Sequence, residues 1–512
     1  MPPINRRDFL KLIGLVPLGL ASPRLTRYLG TPQGLQQDKQ NVIVVVFDAL
    51  SALNVSLYKY PRETMPHLAK LAQRAIVYHN HFAGGCFTTP GTASLLTGTL
   101  PWTHRAIKFH GKVAESFVER NIFHLFPNHY RLAYSHNWLV NILLEQFGAD
   151  LDALIPEDKL FLTNDGFLST LFKHDKDIAT VGWARNVKKK GEGFAYSLFL
   201  SALYEPLHDG RVENIKPLFP RGIPNVSGDN YFVLEQAIDS IAGQLATLSQ
   251  PFLGYFHFLP PHFPYNTPKE FCGRFGDDNL TPVEKPLDLF SLEKVGKNLL
   301  MKRAEYDEFI LYADREFARF YAHLEKAGLL ENTWIVLTSD HGEMFERGIN
   351  GHLTPVLYQP VIRTPLLIFE PGRKNRVDIH TPTSAMDVLP TLLQVTGQKI
   401  PDWVEGSVLP PFVPAPVPPN RNLYVVQAMD NPQLEPLTKA TVAMLKGRYK
   451  LIYYLGYRRL MNDKGVEELI QLYDLEADPE ELNDLADSQK GIAMELFNEL
   501  KAKLAEVNQP YL

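Results

Sequence analysis

The sequence predicts an α/β protein built around an open sheet. Residues 41–48, 333–340 and 365–369 form continuous apolar runs, which suit parallel strands buried on both faces. Helical stretches such as 65–74 and 304–327 lie between these runs. Because strands that alternate with helices along a chain form an open α/β sheet, this is the fold class that we expect.

The first 30 residues have the layout of a twin-arginine export signal. Arg6 and Arg7 precede an apolar run at 12–20 and then the small residues Ala21 and Ser22. This run is shorter than the about 20 residues that a membrane span needs. We therefore expect an exported protein, periplasmic or otherwise extracytoplasmic, that uses the twin-arginine export machinery as a partner. The sequence leaves open whether the signal is cleaved or kept as an anchor.

Composition and charge are those of an ordinary enzyme. A chain of 512 residues exceeds one compact core, so two domains are expected. The net charge of −5 gives no basis for nucleic-acid binding. Cys86 and Cys272 are the only cysteines and form no disulfide framework. Two free thiols are favoured, and a single disulfide in an oxidising compartment is the alternative.

Two acids follow predicted strands at the place where open sheets bind ligands. Asp48 ends the run at 41–48, and Asp340, followed by His341, ends the run at 333–340. The carboxyl ends of parallel strands meet at one edge of the sheet, where ligands are held. A carboxylate at this edge can ligate a metal, and the imidazole beside Asp340 adds a nitrogen donor.

Residues 84–98 predict a nucleophile on a tight turn that leads into a helix. The segment resembles the active-site signature of the sulfatases, in which Cys or Ser, any residue, Pro, any residue and Arg precede a helix ending in Leu-Thr-Gly. Alignment on Pro90 and on residues 96–98 places the nucleophile at Thr88 and the family's Arg at Thr92. Cys86 is then out of register for conversion to the aldehyde that sulfatases use.

Further segments resemble the same family in the same order. They are 60–68, 261–265, 339–343, 351–352, 358–366 and the closing segment 472–485. On these segments the chain is identified as a sulfatase-family member of the alkaline phosphatase superfamily, a variant with a threonine nucleophile. The resemblance implies an ester-bond hydrolase whose large mixed, mostly parallel sheet is flanked by helices and followed by a smaller C-terminal α+β domain.

Three boundaries follow from this organisation. The catalytic domain is expected at 38–410, with an insertion at 163–229, where the sequence shows little pattern. A proline-rich connector at 413–419 cannot join a central sheet. The C-terminal subdomain is expected at 420–512, with strands at 450–454 and 471–475 and a final helix near 491–507.

The resemblance implies one divalent metal ion held by Asp48, Thr88, Asp340 and His341. The histidine favours manganese or zinc, since calcium and magnesium prefer oxygen ligands, although both remain alternatives. Two-metal relatives carry an acid four residues before a histidine, and His262 has none at that spacing. We therefore expect one metal ion.

The remaining site residues also come from the resemblance. His262 is expected to protonate the leaving oxygen, since imidazole suits general acid catalysis near neutral pH. His352 is expected to contact the substrate, either through hydrogen bonds to the transferring group or through a second metal. His104 and Lys108 are further substrate-binding candidates. The expected substrate is an anionic ester, glycan- or lipid-linked.

The threonine nucleophile indicates whether the substrate is an ester of phosphorus or of sulfur. Sulfatases expel sulfate by elimination from an aldehyde hydrate, which a threonine cannot form, whereas a phosphoryl enzyme is hydrolysed directly. We therefore expect cleavage of phosphate or phosphonate esters or diesters through covalent Thr88. The alternatives are a sulfatase, an envelope transferase of the phosphoglycerol or phosphoethanolamine type, and an inactive scaffold that binds an anionic glycan.

Overall fold

A computed structural model of the chain describes residues 40–162, 210–226, 230–276, 278–291, 298–413, 421–457 and 469–512. The export signal predicted at 1–30 lies outside the described residues. The predicted insertion at 163–229 also lies outside them apart from 210–226, and so does the proline-rich connector apart from Val413. None of the described helices combines the length and the apolar composition that a membrane crossing needs.

The described strands and the helices around them follow the predicted alternation. In chain order the strands are β1 (Asn41–Phe47), β2 (Ile76–Tyr78), β3 (His81–Phe82), β4 (Tyr130–Ser135), β5 (Ala153–Leu154), β6 (Phe252–Phe258), β7 (Thr333–Thr338), β8 (Phe345–Glu346), β9 (Ile349–Asn350), β10 (Leu366–Phe369), β11 (Val377–Ile379), β12 (Thr383–Ser384), β13 (Leu423–Gln427), β14 (Ala440–Lys446), β15 (Tyr449–Leu455) and β16 (Leu469–Asp474). The helices are α1 (Pro66–Leu71), α2 (Thr88–Thr97), α3 (Pro101–His104), α4 (Trp138–Gln146), α5 (Leu234–Leu245), α6 (Leu299–Lys326), α7 (Gln359–Ile362), α8 (Val388–Val395) and α9 (Lys490–Asn508).

The described residues form a large sheet of eight strands, in the order β11-β2-β10-β7-β1-β6-β4-β5. The central strand β1 pairs in parallel with β6 and with β7. Only β10 runs against the others, because it pairs antiparallel with both β7 and β2. The predicted α/β class with a large mixed, mostly parallel sheet is therefore confirmed.

Helices cover both faces of this sheet, which explains the continuous apolar runs. Ile43 and Val45 of β1 pack in one core cluster with α5 and α6. Val42 and Val44, which point to the opposite face, pack in a second cluster with α2, α4 and α8. Neither face of β1 meets water, so apolar residues follow one another without a break from Val42 to Phe47.

The C-terminal residues form the smaller domain. Strands β13 to β16 make an antiparallel sheet in sequential order, and α9 packs on it through Leu496, Phe497 and Leu500. The predicted strands at 450–454 and 471–475 and the final helix are present as β15, β16 and α9, each within about two residues of the expected bounds.

A buried ion pair within this small domain also contacts the catalytic domain. Lys450 of β15 donates to Glu481, and both side chains are almost fully buried. The second carboxylate oxygen of Glu481 accepts from the backbone N–H of Gln359 at 2.9 Å, at the first residue of α7. We call this three-residue contact the clasp. It holds the beginning of α7 against the segment that closes the sequence signature.

Candidate active site

Polar side chains from four strands meet at one edge of the large sheet. Asp48 follows β1, Asp340 follows β7 and Asn137 follows β4, while His257 lies one residue before the end of β6. In the β1–β6 register Val46 pairs with His257. Since alternate residues of a strand share a face, Val46, Asp48 and His257 project to the same side of the sheet.

Each of the two carboxylates is held by one oxygen and leaves the other without a partner. Asp340 Oδ1 accepts from the backbone N–H groups of Ala49 at 3.2 Å and His341 at 3.0 Å. Asp48 Oδ2 accepts from the side-chain amide of Asn137 at 2.5 Å. The other oxygens, Asp48 Oδ1 and Asp340 Oδ2, are fully buried and make no hydrogen bond.

A histidine nitrogen faces these two free oxygens. His341 Nδ1–H donates to the carbonyl of Gly342 at 2.9 Å, so the lone pair of the ring lies on Nε2. This Nε2 lies 3.5 Å from Asp48 Oδ1 and 3.5 Å from Asp340 Oδ2. A lone pair and two carboxylate oxygens repel one another in a buried space, unless a cation lies among them.

Burial and the neighbouring charges shift the pKa values of the site residues. Burial raises the pKa of Asp340 above its ordinary value, and the neighbouring Asp48 raises it further. Burial alone also raises the pKa of Asp48, but the charges of His262, His257 and His341 outweigh it and the net shift is downward. Burial lowers the pKa of His341, which favours the neutral ring that a metal needs.

These donors fit a divalent metal ion. One ligand atom each from Asp48, His257 and Asp340 lies within 4.8 Å of the others, and the orphaned oxygens and His341 Nε2 point into the same space. Mixed imidazole and carboxylate sets suit zinc, manganese and similar transition metals. The residues present therefore match the expected cofactor class, and the identity of the ion stays a prediction.

Thr88 is the first residue of α2 and reaches the same space. Its hydroxyl lies 3.4 Å from His341 Nε2 and 3.5 Å from the amide nitrogen of Asn137. An anion at a helix N-terminus is stabilised by the helix dipole. Gly91, one turn later, packs so closely on the backbone of Asp340 that a Cβ would lie 2.2 Å from its carbonyl oxygen. The nucleophile helix is thus fixed directly against a predicted metal ligand.

Cys86 lies apart from this chemistry. It is fully buried in an apolar cluster with Phe82 and Met344, and its thiol contacts the carbonyl of Thr354 at 3.7 Å. Burial raises the pKa of Cys86 to about 12, so the thiol stays protonated. Thr88, two residues later, is the side chain that reaches the polar edge.

A second group of side chains lies beside the first. His352 Nδ1 contacts the buried carboxylate of Glu343 at 3.0 Å, and its ring packs on those of His341 and His262 at centroid distances of 4.2 and 5.0 Å. His262 Nδ1–H donates to the carbonyl of Phe263 at 2.6 Å, which leaves Nε2 free. The structure therefore brings both predicted histidines next to the metal ligands.

A cavity of about 340 Å³ opens above Thr88. Half of its lining residues are apolar, and the polar half, taken over the described residues, contains no lysine or arginine. The lining residues are Phe87, Thr88, Phe109, Asn137, Trp138, Leu139, Val226, Leu259, His262, Phe263, Tyr265, Glu343, Asn350, Gly351, His352 and Leu353.

The structure does not bring His104 or Lys108 into the cavity wall. His104, the last residue of α3, is fully buried against α2, where Ser94 contacts Nε2 at 3.1 Å and the N–H of Ala106 donates to Nδ1 at 3.0 Å. Both ring nitrogens are therefore occupied, and His104 is left out of the site proposed below. Lys108 is partly exposed and precedes the lining residue Phe109.

Three site residues were not predicted from the sequence. Asn137 contacts both Asp48 and Thr88, His257 lies against the carboxylates, and Glu343 orients His352. Glu343 follows His341 by two residues, in the segment 339–343 that resembles the sulfatases, so the sequence offered a signal for an additional acidic site residue. His257 lies within an apolar strand, where only the sheet register reveals its neighbours.

Two family models match the chain. A model described as Sulfatase matches residues 40–398. A model described as N-sulphoglucosamine sulphohydrolase, C-terminal, matches residues 354–510.

Curated relatives and solved structures cover most of the chain. A choline-sulfatase of Rhizobium meliloti is 24% identical over 488 residues, which span 88% of this chain and 83% of the relative. An ulvan-active sulfatase of Formosa agariphila is 25% identical over 497 residues, spanning 93% and 84%. The structure is similar to that of a phosphonate monoester hydrolase of Agrobacterium radiobacter, with a TM-score of 0.65, 18% identity and coverage of 92% and 96%.

Proposed function

The chain belongs to the sulfatase family of ester-bond hydrolases, and from this premise we propose that it cleaves phosphate or phosphonate esters, using one divalent metal and a covalent intermediate on Thr88. The observation that carries the proposal is the position of Thr88. Its hydroxyl begins α2 beside His341 and Asn137, whereas the thiol of Cys86 is buried among apolar side chains.

The nucleophile supports phosphorus as the reacting centre. A threonine ester of sulfate has no second hydroxyl with which to expel the sulfate by elimination, but a phosphothreonine can be attacked directly at phosphorus. Thr92, in the same helix, is buried and carries no charge, so it cannot stabilise an aldehyde hydrate as an arginine would.

The cavity supports an ester with a single negative charge. Among its described lining residues the charged group is the carboxylate of Glu343, and the only basic side chains are His262 and His352. A dianionic phosphate monoester would leave its second charge uncompensated there, which is costly in a partly buried space. A phosphodiester or a phosphonate monoester carries one charge and an organic group that can pack against the apolar wall.

The residues divide the reaction between them. A divalent metal bound by Asp48, Asp340 and His341 would supply a Lewis acid and lower the pKa of the bound hydroxyl. Thr88 loses its proton to water and its oxygen attacks phosphorus. The bond from phosphorus to the leaving oxygen breaks, and His262 donates a proton to that oxygen. In the second half, His262 takes a proton from water, the hydroxide attacks the phosphothreonine, and the Thr88 oxygen leaves phosphorus and regains from solvent the proton that it gave to water.

A substrate comparison tests the proposal. The purified protein, loaded with manganese or zinc, is assayed on aryl phosphodiester, phosphonate monoester, phosphate monoester and sulfate ester substrates with the same leaving group. We expect the highest kcat/KM on the phosphodiester or the phosphonate. A higher kcat/KM on the aryl sulfate with any metal would contradict the proposal.

Sulfate ester hydrolysis is the second candidate, because the relatives named above include sulfatases. The same substrate comparison decides between the two.

We also propose that residues 1–30 direct export, on the twin-arginine pattern alone. Replacement of both arginines by lysine should retain the protein in the cytoplasm, and unchanged export would remove this proposal.

A further inference from the structure

We propose that His257 is a fourth protein ligand of the metal, in addition to Asp48, Asp340 and His341. The inference rests on the metal-dependent function proposed above and extends it to a residue of the central sheet. It assigns the site two imidazole nitrogens and two carboxylates, with the hydroxyl of Thr88 as a further oxygen.

The position of His257 places its ring among the other ligands. His257 Nε2 lies 3.2 Å from Asp48 Oδ2 and 3.8 Å from Asp340 Oδ2, and the side chain is fully buried. Despite the 3.2 Å separation, Nε2 lacks hydrogen-bond geometry toward Asp48 and has no other hydrogen-bond partner. The ring nitrogen therefore lies beside both carboxylates, close enough for one cation to contact all three groups.

The other nitrogen of the ring is already occupied. His257 Nδ1 lies 3.0 Å from the hydroxyl of Tyr255, two residues earlier on the same face of β6. When Nδ1–H donates to this oxygen, the lone pair lies on Nε2. Metal-binding histidines are commonly oriented by such a hydrogen bond from their other ring nitrogen.

The unpartnered atoms share one space. Asp48 Oδ1, Asp340 Oδ2 and His257 Nε2 are all buried without hydrogen bonds, and His341 Nε2 faces the same two carboxylates. Buried polar atoms without partners are rare and call for an explanation such as an ion. One cation among them would serve all four at once.

The ligand count carries a consequence for metal selectivity. Ala49, beside Asp48, offers no side-chain oxygen. A site with two imidazoles and two carboxylates suits zinc, cobalt or manganese, whereas calcium and magnesium favour shells of oxygen. His257 should therefore discriminate between these classes of metal, and its loss should harm zinc binding far more than calcium binding.

The test compares wild type, His257→Ala and the control His81→Ala, which also removes a fully buried histidine but from β3. Zinc and calcium affinities are measured by competition with a chelator, and folding is checked by thermal unfolding. We expect His257→Ala to weaken zinc binding by more than about 100-fold, beyond the loss of an outer partner, and His81→Ala to leave it unchanged. Zinc affinity that is equal in wild type and His257→Ala would overturn the assignment.

A spectroscopic test with a second variant, His257→Cys, remains available if His257→Ala does not fold. In His257→Cys loaded with cobalt, a thiolate at this position should add an intense charge-transfer absorption that the wild type lacks. Metal-bound, folded His257→Cys without that absorption would also overturn the assignment. If the wild type itself binds no divalent metal, the metal-dependent function fails; if it binds metal but the variants behave as wild type, only the role of His257 fails.

Discussion

Gly91→Ala tests whether the close contact between α2 and Asp340 positions the nucleophile. A Cβ at this position would lie 2.2 Å from the Asp340 carbonyl oxygen, against the 3.0 Å below which such contacts essentially do not occur. The helix or the Asp340 loop must therefore retreat by about 0.8 Å. Since a misplacement of about 1 Å can cost about 100-fold in rate, we expect kcat/KM on an aryl phosphodiester to fall by about that factor.

The sign of the stability change separates this reasoning from helix propensity. Alanine exceeds glycine in a helix interior by about 1 kcal/mol, so propensity alone would make Gly91→Ala more stable. The matched control is Gly243→Ala in α5, where a Cβ meets no atom within 4 Å. We expect the control to raise Tm at wild-type activity, and Gly91→Ala to lower Tm, metal content and kcat/KM. If both variants behave alike, the contact does not position the site.

Three further expectations concern other residues. Thr88→Ala should lower kcat by about 10⁴-fold or more while metal content stays high, whereas Cys86→Ala should leave kcat/KM nearly unchanged; an aldehyde at Cys86 in the mass spectrum would reverse this assignment. His341→Ala should lower metal content and remove the metal-dependent gain in stability, about 2.7 kcal/mol at a hundredfold excess over Kd; an undiminished response to metal would exclude it as a ligand. Burial lowers the pKa of His104 to about 3 from 6.5. The neutral ring therefore stabilises the fold fully above about pH 6.5, and this contribution is lost as the pH falls toward 3, at up to about 1.4 kcal/mol per pH unit. In urea unfolding from pH 7 to 4, the free energy of unfolding should fall less steeply with decreasing pH in His104→Gln than in the wild type.

The strands of the large sheet could be predicted only where they are long enough to form a continuous apolar run in the sequence. The runs at 41–48 and 333–340 became β1 and β7 because helices cover both of their faces. The run at 365–369 looks the same, yet β10 is antiparallel, since strand direction depends on how the chain returns to the sheet. The edge strands β5 and β11 have two and three residues, too few for any periodicity to be visible.

The predicted metal ligands Asp48, Asp340 and His341 come together because each lies within three residues of the end of a central parallel strand. Thr88 instead begins a helix that packs on Asp340 through Gly91. His257 escaped this reasoning, since its neighbour Asp48 is more than two hundred residues away and is brought close only by the β1–β6 register. His104 shows the opposite problem. Its sequence position suggested a role toward the substrate, but a short helix turns its side chain toward Ser94, where both ring nitrogens are used.

The clasp has a consequence for the order in which the protein matures. The proposed metal ligands all precede residue 342, whereas Lys450 and Glu481 of the clasp lie in the last third of the chain. The segment that carries His352 leads into α7, whose first N–H is held by Glu481. This side of the cavity must therefore wait for the C-terminal residues. We expect a newly made chain to retain metal before it can turn over substrate, and Glu481→Gln to lengthen that interval; simultaneous appearance of both properties in the variant would show that the two halves mature as one.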